Sequence, residues 1–120
     1  MLCLLAGAVA VPLMASEATL AWTHSVERIP WEEDWRETPQ GLELVEARVR
    51  GTGAGMEPPP EARFEGGAWR WRPGLAPLPG VVLRRSGATA DYRVCIAGLC
   101  RPMGELMPDD TDPVVLKPCP

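Results

Sequence analysis

With 120 residues and 13.0 kDa, the chain has room for one domain of ordinary size and no second independent core, which excludes a multi-domain enzyme. Apolar residues at 46% and charged residues at 23% match a globular average, excluding wholesale disorder and a polytopic membrane protein. The net charge of −4 repels phosphate and anionic headgroups, so nucleic acid is not an expected partner. Glycine (12) and proline (14) leave little room for long helices and favour short strands joined by turns.

The first fifteen residues, Met1 to Ala15, carry no charge and are nearly all apolar. The stretch is short for a bilayer-spanning helix and suits the apolar part of a secretory signal, followed by a small-x-small site at Ser16-Glu17-Ala18. Residues 1–18 are therefore read as a signal or anchor segment and residues 19–120 as a single β domain. The cationic start of a signal is missing, and the plainer alternative is a buried first strand or an uncleaved anchor.

Residues 19–27 alternate as a strand does, with Leu20, Trp22, His24 and Val26 on one face and Ala21, Thr23, Ser25 and Glu27 on the other. Ser25 points away from His24, which argues against a serine–histidine pair. A structural histidine at the edge of an aromatic core is the plainer reading. After Pro30, Trp31, Glu33 and Trp35 share a face in a second strand. A three-residue turn at Arg28-Ile29-Pro30 would set His24 opposite Asp34 and Ser25 opposite Glu33, whereas a turn one residue longer would set His24 opposite Trp35. The acids Glu32, Glu33, Asp34 and Glu37 lack the spacing of a calcium loop, and a solvated edge that discourages strand pairing is preferred over a cation site.

A third strand at residues 42–50 switches its apolar parity between Leu44 and Val45, the sign of a bulge or of burial on both faces. The Gly51–Pro60 run couples flexible glycines to a proline rod. It lacks the Walker and dinucleotide spacings and has no room for the helix a phosphate loop needs, so it reads as a structural or partner-contacting loop. Weaker strands follow at Ala68–Arg72, Val81–Arg85, Asp91–Ile96, Leu99–Arg101 and Val114–Lys117, with one short helical turn around Met103–Met107. In Trp69-Arg70-Trp71-Arg72 indoles alternate with guanidiniums, giving core on one side and solvent on the other.

In Cys95-Ile96-Ala97-Gly98-Leu99-Cys100 the pair Ala97-Gly98 fits a two-residue hairpin turn, which sets Cys95 opposite Cys100 within disulfide reach. Such a clip fits an oxidising compartment. A bridge from Cys119 to either cysteine and reduced thiols are the alternatives. A four-cysteine zinc site is not expected, since Cys3 falls in the signal-like segment and no CxxC pair exists. The expected fold class is all-β: an antiparallel sandwich or partly open barrel of seven to nine short strands.

The ordered combination of Trp22-Thr23-His24-Ser25-Val26-Glu27, Pro30-Trp31-Glu32-Glu33, Gly53-Ala54-Gly55-Met56-Glu57-Pro58, Trp69-Arg70-Trp71 and the Cys95 and Cys100 pair resembles the bacterial domain-of-unknown-function family 1850 over about residues 20–119. Members of that family are similar in being encoded beside, or fused to, permeases of TAXI-type tripartite ATP-independent periplasmic (TRAP) transporters. The resemblance implies a periplasmic or inner-membrane-anchored site and a TRAP permease or solute-binding protein as partner. It implies no reaction, and no catalytic residue, metal or cofactor is expected. The contact residues it points to are His24, Ser25, Glu27, Glu33, Gly53, Gly55 and Glu57. A small-ligand or metal-binding protein using His24 and nearby carboxylates is the alternative expectation.

Overall fold

Strand signals in the sequence become two antiparallel sheets in a computed structural model that describes residues 1–23, 29–50, 58–87 and 90–120. In chain order the strands are β1 (Leu2–Ala6), β2 (Val9–Pro12), β3 (Glu17–Thr23), β4 (Pro30–Thr38), β5 (Gly41–Arg50), β6 (Arg63–Glu65), β7 (Ala68–Trp71), β8 (Val81–Leu83), β9 (Arg93–Ile96) and β10 (Leu99–Pro102). A single turn of helix, α1 (Met103–Leu106), and the last strand, β11 (Val114–Pro118), complete the set. The small sheet runs β2-β1-β11-β8 and the large one β10-β9-β3-β4-β5-β7-β6. They face each other as an open sandwich, not a closed barrel. Leu2, Leu4, Leu83, Val114 and Leu116 of the small sheet pack against Ala18, Leu20, Trp35, Leu42, Leu44 and Val94 of the large one, with Met103 and Met107 sealing one side.

Every strand and the helical turn read from the sequence recur, with ends moved by a few residues; residues 24–27 of the first predicted strand lie outside the described residues. The described residues hold eleven strands against the expected seven to nine. The additions are β1, β2 and the three-residue β6, which a period-of-two reading cannot find in an all-apolar run or a three-residue segment.

The stretch read as a signal or anchor supplies β1, β2 and the start of β3. Gly7, at φ 58°, turns the chain between them. Leu2 and Leu4 are fully buried, so the fold uses the segment as a buried first strand. Cleavage after Ala18 would remove both strands and Cys3. No helix among the described residues is long and apolar enough to cross a membrane.

The parity switch in β5 is a bulge. Trp35 pairs with Leu44 and Asp34 with Glu46, leaving Val45 without a partner across the ladder. Beyond it, Ala47 and Val49 continue the buried face. Ala97 and Gly98, at φ 50° and 83°, form the two-residue turn between β9 and β10, and Cys95 is disulfide-bonded to Cys100. The second bridge corrects the alternatives for Cys119. Its partner is Cys3, across the adjacent strands β1 and β11, and neither cysteine of the hairpin is free.

Candidate functional site

The strands β3, β4 and β5 carry their inward side chains in rows across the large sheet. One row runs Ala18, Trp35, Leu44 and lies under the small sheet. The next runs Val94, Leu20, Glu33, Ala47, Trp71, and the third Trp22, Trp31, Val49, Trp69, Phe64. Aliphatic cover from the small sheet thus gives way, toward one end of the sandwich, to an aromatic bay. Trp22 and Trp31 stack with ring centroids 6.1 Å apart, Trp31 meets Trp71 edge-on at 6.2 Å, and Tyr92 leans on Trp22 at 5.9 Å with the rings inclined by 57°. Cross-strand pairing explains the first contact, since directly opposed residues bring large rings within reach.

Glu33 is the carboxylate of this bay. It is half-buried between Leu20 and Ala47, and burial raises its pKa above the ordinary 4.5 despite a hydrogen bond donated by Trp35 Nε1 at 3.4 Å. Burial, together with the charges of Glu33 and Asp91, also raises the pKa of the Tyr92 phenol. The Trp31 indole N–H is buried and has no hydrogen-bond partner among the described residues.

On the opposite face of the same strands the acids do something different. Asp34 accepts from both terminal nitrogens of Arg48, at 2.6 and 2.8 Å, and from the Thr19 hydroxyl at 2.6 Å. Arg48 also reaches Glu32 at 3.2 Å and Glu46 at 3.0 Å, Arg70 donates to Glu46 at 2.8 Å, and Arg50 pairs with Glu32 at 3.1 Å. Burial alone would raise the Asp34 pKa, but the donors and the arginine charges outweigh it and hold the carboxyl below its usual range. The Arg48 guanidinium is held further into its charged form, chiefly by the Asp34 hydrogen bond. Three acids and three arginines here close a structural network.

Two expectations are corrected by this geometry. Asp34 lies opposite Thr19, Glu33 opposite Leu20 and Trp35 opposite Ala18, so none of the three pairs with His24 or Ser25, and neither expected register is the one formed. The acidic run is no solvated edge either, because β4 is the middle strand of the large sheet and Glu32 and Asp34 are bridged by Arg48. Of the predicted contact residues, Glu33 is described, while His24, Ser25, Glu27, Gly53, Gly55 and Glu57 lie outside the described residues. Among the described residues no group of histidine, cysteine or acidic side chains could hold a metal ion.

A cleft of about 420 Å³ is lined by Trp22, Thr23 and Tyr92 of the aromatic bay together with residues of the segments 84–87 and 109–112. Its floor is organised by Arg85, whose side chain is 5% exposed. Arg85 Nε and Nη2 bond the Asp91 carboxylate, the closest contact being 2.6 Å, and Nη1 reaches the carbonyls of Pro108 and Thr111 and the Thr111 hydroxyl. The Arg85 hydrogen bond lowers the Asp91 pKa, and the Asp91 bond in turn raises that of Arg85. Sequence reasoning missed this cleft. Its only trace was the Arg84-Arg85 pair and the Asp109-Asp110-Thr111-Asp112 run, two opposite charge clusters more than twenty residues apart.

Comparison with known families decides the affiliation: the model of the Domain of unknown function (DUF1850) matches residues 18–103. The chain belongs to the DUF1850 family. The matched segment opens within β3 and closes at the first residue of α1, so the DUF1850 match takes in the large sheet, the aromatic bay and the hairpin disulfide. It leaves β1, β2 and β11 of the small sheet outside. No curated protein and no solved structure matches the chain.

Proposed function

We propose that this DUF1850 protein is a non-enzymatic accessory module of a TAXI-type TRAP transporter, placed on the periplasmic side of the inner membrane and contacting the permease or its solute-binding protein. The observation that carries the reading is a convergence. Thr23 pairs with Pro30 and Trp31 with Val49, so the strand ends that bracket residues 24–28 and residues 51–57 sit side by side at one end of the large sheet. Residues 24–28 and 51–57 belong to the motifs on which the family resemblance rests, and the strand ends next to them carry Trp22, Trp31 and Val49. Connections that start from neighbouring strand ends of one sheet suit a contact surface. Two disulfides fit an oxidising compartment such as the periplasm.

The test is affinity purification of a tagged copy from gently solubilised native membranes, with mass spectrometry of what is retained. Recovery of a TRAP permease or solute-binding protein is expected. His24→Ala, Glu27→Ala and Gly55→Val are expected to lower substrate uptake in the intact host while leaving the thermal melt of the purified protein within about 2 °C of wild type. Retention of the bait alone, with uptake unchanged in all three variants, overturns the reading.

A further inference from the structure

The cleft beside the aromatic bay has the chemistry of a site for an organic cation. Its lining contains two arginines and four aspartates, Asp91, Asp109, Asp110 and Asp112. Each arginine has an aspartate partner. Arg85 is buried and tied to Asp91 at 2.6 Å, with its remaining donors taken by main-chain carbonyls and Thr111. Arg84 pairs with Asp112 at 3.4 Å. Asp109 and Asp110 are exposed and have no hydrogen-bond or ion-pair partner among the described residues. With four carboxylates against two guanidiniums the lining is net negative, which favours a cation over an anion.

Aromatic residues of the same lining supply the other half of the recognition. Trp22 and Tyr92, inclined by 57° at 5.9 Å, form a corner of two ring systems. Aromatic faces attract cations through their quadrupole, and quaternary ammonium groups, which need no hydrogen-bond acceptor, are the ligands such walls favour. The volume of about 420 Å³ falls in the range of small-molecule sites. Cavity, aromatic corner and unpaired carboxylates are three separate features of one place. We propose that this cleft binds a small organic cation of the alkylammonium class, its cationic head between the Trp22–Tyr92 corner and the carboxylates of Asp109 and Asp110. This inference stands apart from the transporter reading, because it concerns the protein alone.

The test is calorimetric titration of the full-length, disulfide-bonded protein with choline chloride as the probe, and with 3,3-dimethylbutan-1-ol as the uncharged probe of the same shape. Saturable binding of choline with a dissociation constant below about 1 mM, and none of the alcohol, is expected. Asp109→Asn combined with Asp110→Asn changes two exposed side chains. It is expected to weaken choline binding tenfold or more while the thermal melt stays unchanged. Tyr92→Leu is expected to weaken it as well, and calcium chloride is expected not to compete. The proposal is overturned by absence of saturable binding up to about 10 mM choline. Equal binding of the alcohol, wild-type affinity in the double variant, or displacement of choline by calcium would overturn it equally.

Discussion

The two halves of the large sheet are built on the same strands and differ in what faces them. Under the small sheet, Leu20, Trp35, Leu42 and Leu44 meet Leu2, Leu4 and Leu116, and every one of these is less than a tenth exposed. A strand register or two away, the same β3 and β4 present Trp22, Trp31 and Glu33, which are only partly buried, and β7 adds Trp71. Aliphatic side chains fill a gap between two sheets at interior density and gain from leaving water. Where the second sheet ends, aliphatics would stand in water, and indoles and a phenol cover the sheet with large, partly exposed rings. The closed half makes the fold and the open half is where a partner or ligand can be met.

Breaking the closed half should have the largest effects. The Cys3–Cys119 bridge spans 116 residues and fastens β1 to β11, whereas Cys95–Cys100 spans 5. On the chain-entropy account the long bridge contributes about 5 kcal/mol and the short one about 2 kcal/mol. Replacing Cys3 and Cys119 together by serine should therefore lower the urea-unfolding free energy more than twice as far as replacing Cys95 and Cys100. Next in size, Leu116→Ala removes a fully buried side chain from the middle of the small sheet and should destabilise by about 2–5 kcal/mol in the same measurement. Gly41→Ala would drive a Cβ into the Leu78 carbonyl oxygen at a residue with φ of 126°, on the hydrogen-bonded bridge between Leu42 and Leu78, and should cost about 2 kcal/mol.

The outer network and the bay then separate by sign. Asp34→Asn takes the charged partner from Arg48 and should cost about 1–3 kcal/mol at pH 7. The depressed Asp34 pKa means that its contribution is in place above about pH 4 and is lost as pH falls through the folded value. Glu33 is the reverse case. A raised folded pKa means the native state holds the proton more tightly, so this carboxyl favours the fold below pH 4.5 and the advantage fades as pH rises through the folded value. Glu33→Gln should raise the melting temperature at pH 7 and leave it unchanged at pH 3, read from thermal melts at the two pH values. A loss of stability in Glu33→Gln at pH 7 would show that the bay is part of the closed core.

Local signals made much of this fold legible. The β5 bulge could be read because the apolar parity of Leu44 and Val45 breaks a period of two, and the Cys95–Cys100 clip because Ala97-Gly98 fixes the hairpin register within six residues. The alternation in Trp69-Arg70-Trp71 already separated an aromatic face from a cationic one, and Arg70 does turn outward to Glu46. The surroundings of Glu33 were misread: it lies opposite Leu20 and Ala47. The expected register continued the first strand to Glu27, whereas Thr23 already pairs with Pro30, and the alternation of residues 19–27 holds no local signal for where the pairing stops.

What the sequence determined by itself was therefore whatever a few consecutive residues control: strand periodicity, the bulge, the two-residue turn and the single helical turn at Met103. The tertiary structure alone decided the pairing of Cys3 with Cys119, the use of the apolar first residues as a core strand, and the meeting of Arg85 with Asp91 and Thr111. The physical reason is common to all three. Each joins segments far apart in the chain, and the same apolar or charged run is compatible with several partners until the packing of the two sheets selects one.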